Sequence, residues 1–374
     1  MKVKIIFTSS AKGIGLLYHF TYLALEFASQ LRGTKYSFLM ISEDGEQNEG
    51  LWKEIKSNLK DDEYRVCDSH NDFSGIVETY LRDEKYSKVI YLTQGLTQFS
   101  NSIKLKRKFS NKLVLYTRLN SFKHGSIYRI PLSFVYSLLF YKFADIVNFQ
   151  CQYTISKFSN SKILLKKGIA VTIPLGLNSP EVLDDQNQIE LNEIMNDKSI
   201  LKIVYLAQFH KHKRHLELIN SLSNYLNHKN NVKLILFGDG KEFCKIERLV
   251  KKYNITDKIH FAGRVERKYV PFYLKNSDVS VVLSKVETFG HNILEPLFYG
   301  VPVISANVGI ASDVIRDFYN GFVFRSNNFK KLPDIIESFS KNSDNESIKM
   351  SIQNYKWKEI VKSYSKMFDY LTLN

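Results

Sequence analysis

The chain has 374 residues, too many for one ordinary hydrophobic core and enough for two domains of common size. Its 44% hydrophobic and 24% charged residues exclude a globally disordered chain. A formal net charge of +15 points toward anionic partners, and no apolar run approaches the ~20 residues that cross a bilayer.

Residues 3–8 (VKIIFT) read as a buried strand, not as the core of a signal peptide. A loop, residues 9–15 (SSAKGIG), and a helical pattern to Leu31 follow. Strand, glycine loop and helix open a nucleotide-type α/β domain, but two glycines fall short of a dinucleotide fingerprint and argue against a dehydrogenase. Residues 37–42, 64–66, 88–92 and 112–116 read as further strands with helices between them. That alternation predicts a parallel sheet covered on both faces.

Between Asn101 and Ala170, thirteen Lys or Arg face a single acidic residue, Asp145. Such a patch suits an anionic membrane surface or a nucleic acid. Within it, residues 130–149 form the most apolar segment and predict a mostly buried helix, with Pro131 in its first turn. A helix pressed into lipid headgroups is the alternative. Residues 170–178 read as a strand ending in a turn, and the polar stretch 179–199 is placed as the domain boundary. Cys67, Cys151 and Cys244 are isolated and odd in number, which predicts neither disulfides nor a zinc site and fits a reducing cytoplasm.

A second α/β unit begins with the strand 202–206. It runs into Ala207-Gln208-Phe209-His210-Lys211-His212-Lys213-Arg214-His215, a dense cationic loop before a helix. A pyrophosphate could be clamped there, Lys213 making a point contact and Arg214 a forked one. The three histidines have no carboxylate or Cys among them, so no metal is expected. Residues 232–237 give the next strand, with Gly238-Asp239-Gly240 as its turn. Residues 258–261 lead to Gly263-Arg264-Val265. Four strand ends, at Ala207, Gly238, Gly263 and Ser284, are thus expected to converge on one crevice. The tail from residue 354 places Trp357, Ile360, Val361, Tyr364, Met367 and Phe368 at the spacing of an amphipathic helix.

The stretch 284–309 (SKVETFGHNILEPLFYGVPVISANVG) carries the most chemistry. It reads as a strand to residue 283, a loop over 284–290 and a helix over 292–299. Gly300 sits at the position after the helix, and Pro302 blocks its continuation. Glu287 then lies at a strand's carboxyl end and Glu295 one turn inside the helix. Phe289 and Gly290-His291-Asn292 surround the helix N-terminus, which suits a phosphate or sugar oxygen. Carboxylates on either side would accept hydrogen bonds from sugar hydroxyls. Two glutamates at this spacing recur by chance; the agreement of the other strand ends gives them weight.

Taken together, residues 173–178 (IPLGLN), 237–240 (FGDG), 261–265 (FAGRV) and the stretch from Glu287 through Glu295 to Gly300-Val301-Pro302 resemble the retaining glycosyltransferases of family four. The resemblance is strongest over 173–324. It implies an α/β GT-B fold: two facing Rossmann-like parallel-sheet domains, with a C-terminal helix crossing back to the first. The implied domains are an acceptor-side domain 1–178, a nucleotide-sugar-binding domain 179–353 and the returning helix 354–374. By the same resemblance, Glu287 contacts the donor sugar and stabilises it as it reacts, Glu295 holds the ribose, and Lys213 binds the pyrophosphate. Gly290, His291 and Asn292 meet the distal phosphate and sugar with Phe289 beside them. Arg264 and Val265 line the base pocket, while Gly238 and Gly15 belong to the donor-facing loops. The chain departs from the family where Gly-Arg is usual and Ala207-Gln208 stands. A phosphate-binding arginine is thus missing from its usual place; Arg214, where a glycine is usual, or Gln208 could stand in for it, or the Arg214 side chain could point to solvent. His124, after strand 112–116, is a candidate for the acceptor side and for catalysis.

The implied activity is metal-independent, retaining transfer of hexosyltransferase type, with a nucleotide-sugar donor as substrate and no cofactor. The implied acceptor is a glycan, lipid-linked, in surface polysaccharide synthesis of O-antigen or capsule type. The expected location is the cytoplasmic, inner face of the membrane, held peripherally at an anionic surface. A nucleotide-sugar epimerase of related fold and a catalytically weak scaffold are the alternatives. A nucleic-acid-binding protein fits worst, because the basic residues surround apolar sequence and no nucleic-acid-binding motif is present.

Overall fold

The computed structural model describes residues 2–9, 14–43, 49–67, 72–119, 129–158, 161–178, 182–183, 188–342 and 344–373. The chain divides into two compact units, Met1–Asn178 with Tyr355–Asn374, and Ser179–Asn354.

The first unit alternates strands and helices: β1 (Lys2–Ser9), α1 (Ile14–Leu31), β2 (Tyr36–Glu43), α2 (Glu49–Asn58), β3 (Tyr64–Cys67), α3 (Asp72–Arg82), β4 (Tyr86–Gln94), α4 (Gly95–Lys108), β5 (Leu113–Leu119), α5 (Arg129–Phe143), β6 (Ile146–Phe149), α6 (Gln152–Lys157), α7 (Ser161–Lys166) and β7 (Ala170–Thr172). The strands form one sheet in the order β3-β2-β1-β4-β5-β6-β7, every pair parallel. Helical crossovers of one hand produce that order, and strands covered on both faces read as continuous apolar runs such as LVLYTRL in β5.

Three expectations are corrected here. Helix α1 begins at Ile14, so Gly15 lies in its first turn and not in the loop before it. Residues 130–149 are not one buried helix but α5 followed by the buried strand β6. Only one stripe of α5, including Phe140 and Phe143, enters the core, whereas Phe134, Val135, Leu138 and Tyr141 stay 46–50% exposed. The basic residues of 101–170 also do not all belong to one surface patch. Arg118 is buried on β5 and donates to the Tyr364 hydroxyl, and Lys106 Nζ is 2.6 Å from Asp145.

The second unit holds α8 (Ile189–Asn196), β8 (Leu201–Leu206), α9 (His215–His228), β9 (Val232–Phe237), α10 (Phe243–Lys252), β10 (Ile259–Gly263), α11 (Val270–Lys275), β11 (Val279–Val282), α12 (His291–Phe298), β12 (Val303–Ala306), α13 (Ala311–Val314), β13 (Gly321–Phe324), α14 (Leu332–Asn342) and α15 (Asn345–Met350). Its six parallel strands run β10-β9-β8-β11-β12-β13. Helix α8 lies inside the stretch expected to be a linker. Its Leu191 and Met195 are buried against Val204 and Ile235, which four apolar residues inside a polar stretch did not announce.

The tail α16 (Trp357–Leu373) packs on the first unit, where Trp357, Ile360, Val361, Tyr364 and Phe368 join the core of Val3, Ile5, Phe7 and Phe27. Backbone bonds from Leu177 N to Tyr355 O (2.8 Å) and from Trp357 N to Leu177 O (3.1 Å) fix its entry. Among the described residues no helix is long and apolar enough to cross a membrane.

Candidate active site

In each sheet the strand order reverses once, and in the second unit the reversal falls between β8 and β11. Loops leaving the carboxyl ends of two such strands diverge to opposite faces and leave a crevice, the usual ligand site of open α/β sheets. The loop after β8 carries Lys213, and the loop after β11 carries Glu287.

The two loops meet through charge. Lys213 Nζ lies 2.6 Å from Glu287 Oε1, with the two side chains 16% and 12% exposed. The same oxygen accepts from Ser284 Oγ at 2.7 Å and from Asn292 Nδ2 at 3.4 Å. Tyr205 donates to the carbonyl of Lys213 at 2.6 Å and lies 3.1 Å from Ser284 Oγ, and burial pushes its hydroxyl pKa up. A backbone bond from Lys285 N to His212 O (2.7 Å) joins the loops again. A carboxylate so shielded is costly to desolvate unless its donors are in place, and here three converge on it.

Glu295 is buried on α12 and ion-paired with Arg267, in the turn before α11. Gly290 caps α12 with φ +96°, and the Ile293 N–H returns to its carbonyl at 2.9 Å. The amides of His291 and Asn292, ahead of Ile293, lie too early in the helix for a partner within it, so this end is poised for an anion. Phe289 is buried with its ring 5.2 Å from that of His291. Burial holds the His291 imidazole below its ordinary pKa, against the opposing pull of Glu295, so it is neutral at pH 7.

The four strand ends expected to converge do so. Ala207 N bonds Phe237 O (3.1 Å) and Gly238 N bonds Gly263 O (2.7 Å), which ties β8, β9 and β10 side by side next to β11. Gly238 has φ +120°, and a Cβ there would lie 2.4 Å from the carbonyl oxygen of Ala207. Gly238→Ala is therefore expected to cost about 2–4 kcal/mol through strain and displacement of the β8 loop. Urea denaturation measures it, and a loss under 0.5 kcal/mol would show that the loop gives way freely (about one tenfold step is 1.4 kcal/mol).

The other expected residues are placed differently. Arg214 takes a left-handed conformation (φ 57°), and its guanidinium lies 5.8 Å from the Phe329 ring, before α14. A cation over an aromatic face is attracted to it, and of the two cations it is Lys213 that reaches Glu287. Gln208 and Arg264 are exposed, and Val265 packs beside Tyr269 and Tyr299 on the core. His215 is buried between Tyr205 (4.8 Å) and Phe209 (4.6 Å), and burial lowers its pKa to about 4, so it is a neutral packing group. His124 lies outside the described residues, and Gly15 belongs to the first unit. Among the described residues no group of three His, Cys, Asp or Glu is arranged to hold a metal ion. Sequence reasoning missed Ser284, Tyr205 and Arg267. Ser284 opens the stretch singled out above, while Arg267 lies 28 positions before its partner and carries no local signal.

A family model for the group 1 glycosyl transferases matches residues 187–357. The N-acetyl-alpha-D-glucosaminyl L-malate synthase of Bacillus anthracis is 34% identical over 121 residues, which make up 32% of this chain and 31% of that protein. The chain spans only 31–43% of the length of the first three curated relatives it matches. Among solved structures, a glycosyltransferase from Rickettsia africae superposes with a TM-score of 0.76 at 20% identity, over 100% of this chain and 99% of its own. Anabaena HepE in complex with UDP gives 0.73 at 16% identity, over 99% of this chain and 100% of its own. The chain therefore has the GT-B fold, and its residues 187–357 are similar to the group 1 glycosyl transferases.

Proposed function

We propose that the chain transfers a sugar from a nucleoside-diphosphate donor to a glycan acceptor, retaining the anomeric configuration and requiring no metal. The observation that carries the reading is the Lys213–Glu287 pair at the β8/β11 crevice, with Glu295 one turn inside the adjoining helix. As the glycosidic bond breaks, negative charge grows on the departing phosphate and positive charge on the anomeric carbon. Lys213 and the first-turn amides of α12 stabilise the phosphate, and Glu287 stabilises the sugar. Before the donor arrives, the cation and the carboxylate neutralise one another. On binding, Lys213 exchanges the carboxylate for a phosphate oxygen, and Glu287 is released to the sugar hydroxyls. Glu295, oriented by Arg267, receives the ribose. HepE solved with UDP supports a nucleoside diphosphate as the common part of the donor. The acceptor is a lipid-linked glycan of a surface polysaccharide, reached from the cytoplasmic face of the membrane.

Nucleotide release from a panel of donor sugars, with and without a chelator, tests this. The expected result is release of a nucleoside diphosphate at a rate the chelator leaves unchanged. Activity abolished by the chelator and restored only by a divalent ion contradicts the metal-free mechanism. Silence with every donor contradicts transfer.

A further inference from the structure

The exposed side chains of α5 lie on one stripe. Phe134, Val135, Leu138 and Tyr141 follow the i, i+1, i+4, i+7 spacing of a single helical face, and all are 46–50% exposed. Helix α7 packs beside α5 and adds Leu165, 47% exposed. Apolar residues scattered over a surface need no explanation, but a continuous stripe along one helix does.

Cations border it. Lys142 is exposed on α5, and Lys162 and Lys166 are exposed on α7. Lys167 donates to the Tyr141 carbonyl and stands 4.7 Å over the Tyr141 ring, its charge held at the edge of the stripe. Neither helix carries an acidic residue, and the nearby Asp145 is engaged 2.6 Å from Lys106.

We propose that the α5–α7 face docks on an anionic lipid bilayer, with the apolar stripe lying among the headgroups and the lysines paired with lipid phosphates. An apolar band bordered by cations is what the bilayer interface accommodates: it takes the side chains into the acyl boundary and attracts the charges at its surface. A second copy of this chain would set lysines against lysines, in a protein of net charge +15. A nucleic acid would meet the lysines but leave Val135, Leu138 and Leu165 against its polar backbone. The inference deepens the reading above by naming the surface that brings the chain to a lipid-linked acceptor. It rests on that reading only for its purpose, since docking is measured without donor or acceptor.

The test is co-sedimentation of the full chain with vesicles of phosphatidylcholine alone and of phosphatidylcholine mixed with phosphatidylglycerol. Binding is expected to the mixed vesicles and to weaken as salt is raised. Lys162→Ala and Lys166→Ala are each expected to weaken it roughly fivefold, and Phe134→Ser with Leu138→Ser about tenfold or more. These side chains are exposed, Phe134 and Leu138 by 48% and 47%, so the fold should tolerate the changes; equal melting temperatures check it. Equal binding to both vesicle types overturns the proposal, as does full binding by the Phe134/Leu138 variant. A dimer in light scattering that the same variant dissolves assigns the face to a second copy. Tighter binding to an oligonucleotide than to mixed vesicles at matched salt assigns it to nucleic acid. Failure of docking with donor turnover intact overturns this inference alone, and docking without turnover overturns the transfer reading alone.

Discussion

Lys213→Ala is expected to lower kcat by about 10²–10³-fold, the effect of removing one preorganised charge stabiliser from a forming anion. Two losses combine. The developing phosphate charge loses its cation, and Glu287, only 12% exposed, loses its closest donor while Ser284 and Asn292 remain. Lys213→Arg should recover little, because the ammonium meets Oε1 as a point charge at 2.6 Å and a planar fork has a different reach. Steady-state kinetics on the donor, with melting temperature as a check on folding, measures it. A fall of less than tenfold would place the main phosphate contact elsewhere. Glu287→Ala should damage turnover more than nucleotide binding, and the reverse result would exchange the roles assigned to the two glutamates.

Trp357→Ala is expected to destabilise the first unit by about 3–5 kcal/mol, the usual range for deleting a buried aromatic. Trp357 is 2% exposed, and its ring packs so closely on Gly176 that a Cβ there would lie 2.4 Å from Cδ2. The loss should extend down α16, whose Tyr364 lies 3.4 Å from the Tyr116 hydroxyl and receives the buried Arg118. Urea unfolding followed by circular dichroism reads the effect. A protein of two units need not unfold in one step, so the first unit's transition should shift while the second unit's stays in place. A shift worth less than about 1 kcal/mol would mean that α16 rests on the first unit without supporting it.

Much of the architecture was legible because parallel strands buried on both faces write themselves as apolar runs. Residues 3–8, 202–206, 232–237 and 279–283 each fall within or beside a strand of the structure. The places of Lys213 and Glu287 at the carboxyl ends of strands were legible too, since each follows a strand and precedes a helix. What escaped has physical causes. Strand β6 was hidden because α5 runs into it with no polar interruption beyond Lys142 and Asp145, so one apolar segment held two elements. Helix α8 was hidden by its polarity, with only two buried side chains to betray it. The direction of Arg214 depends on a left-handed backbone that no pattern of neighbours announces. The Arg267–Glu295 pair joins separate elements, which side-chain periodicity cannot register.

The central claim is that one crevice of the second unit grips a nucleoside diphosphate between Lys213, the start of α12 and Glu295. Calorimetric titration of a nucleoside diphosphate into the native chain, Lys213→Ala and Glu295→Ala tests it most directly. Binding in the native chain, weakened about tenfold or more in each variant by loss of a charge-assisted bond, is the predicted result. Unchanged affinity in both variants would contradict it.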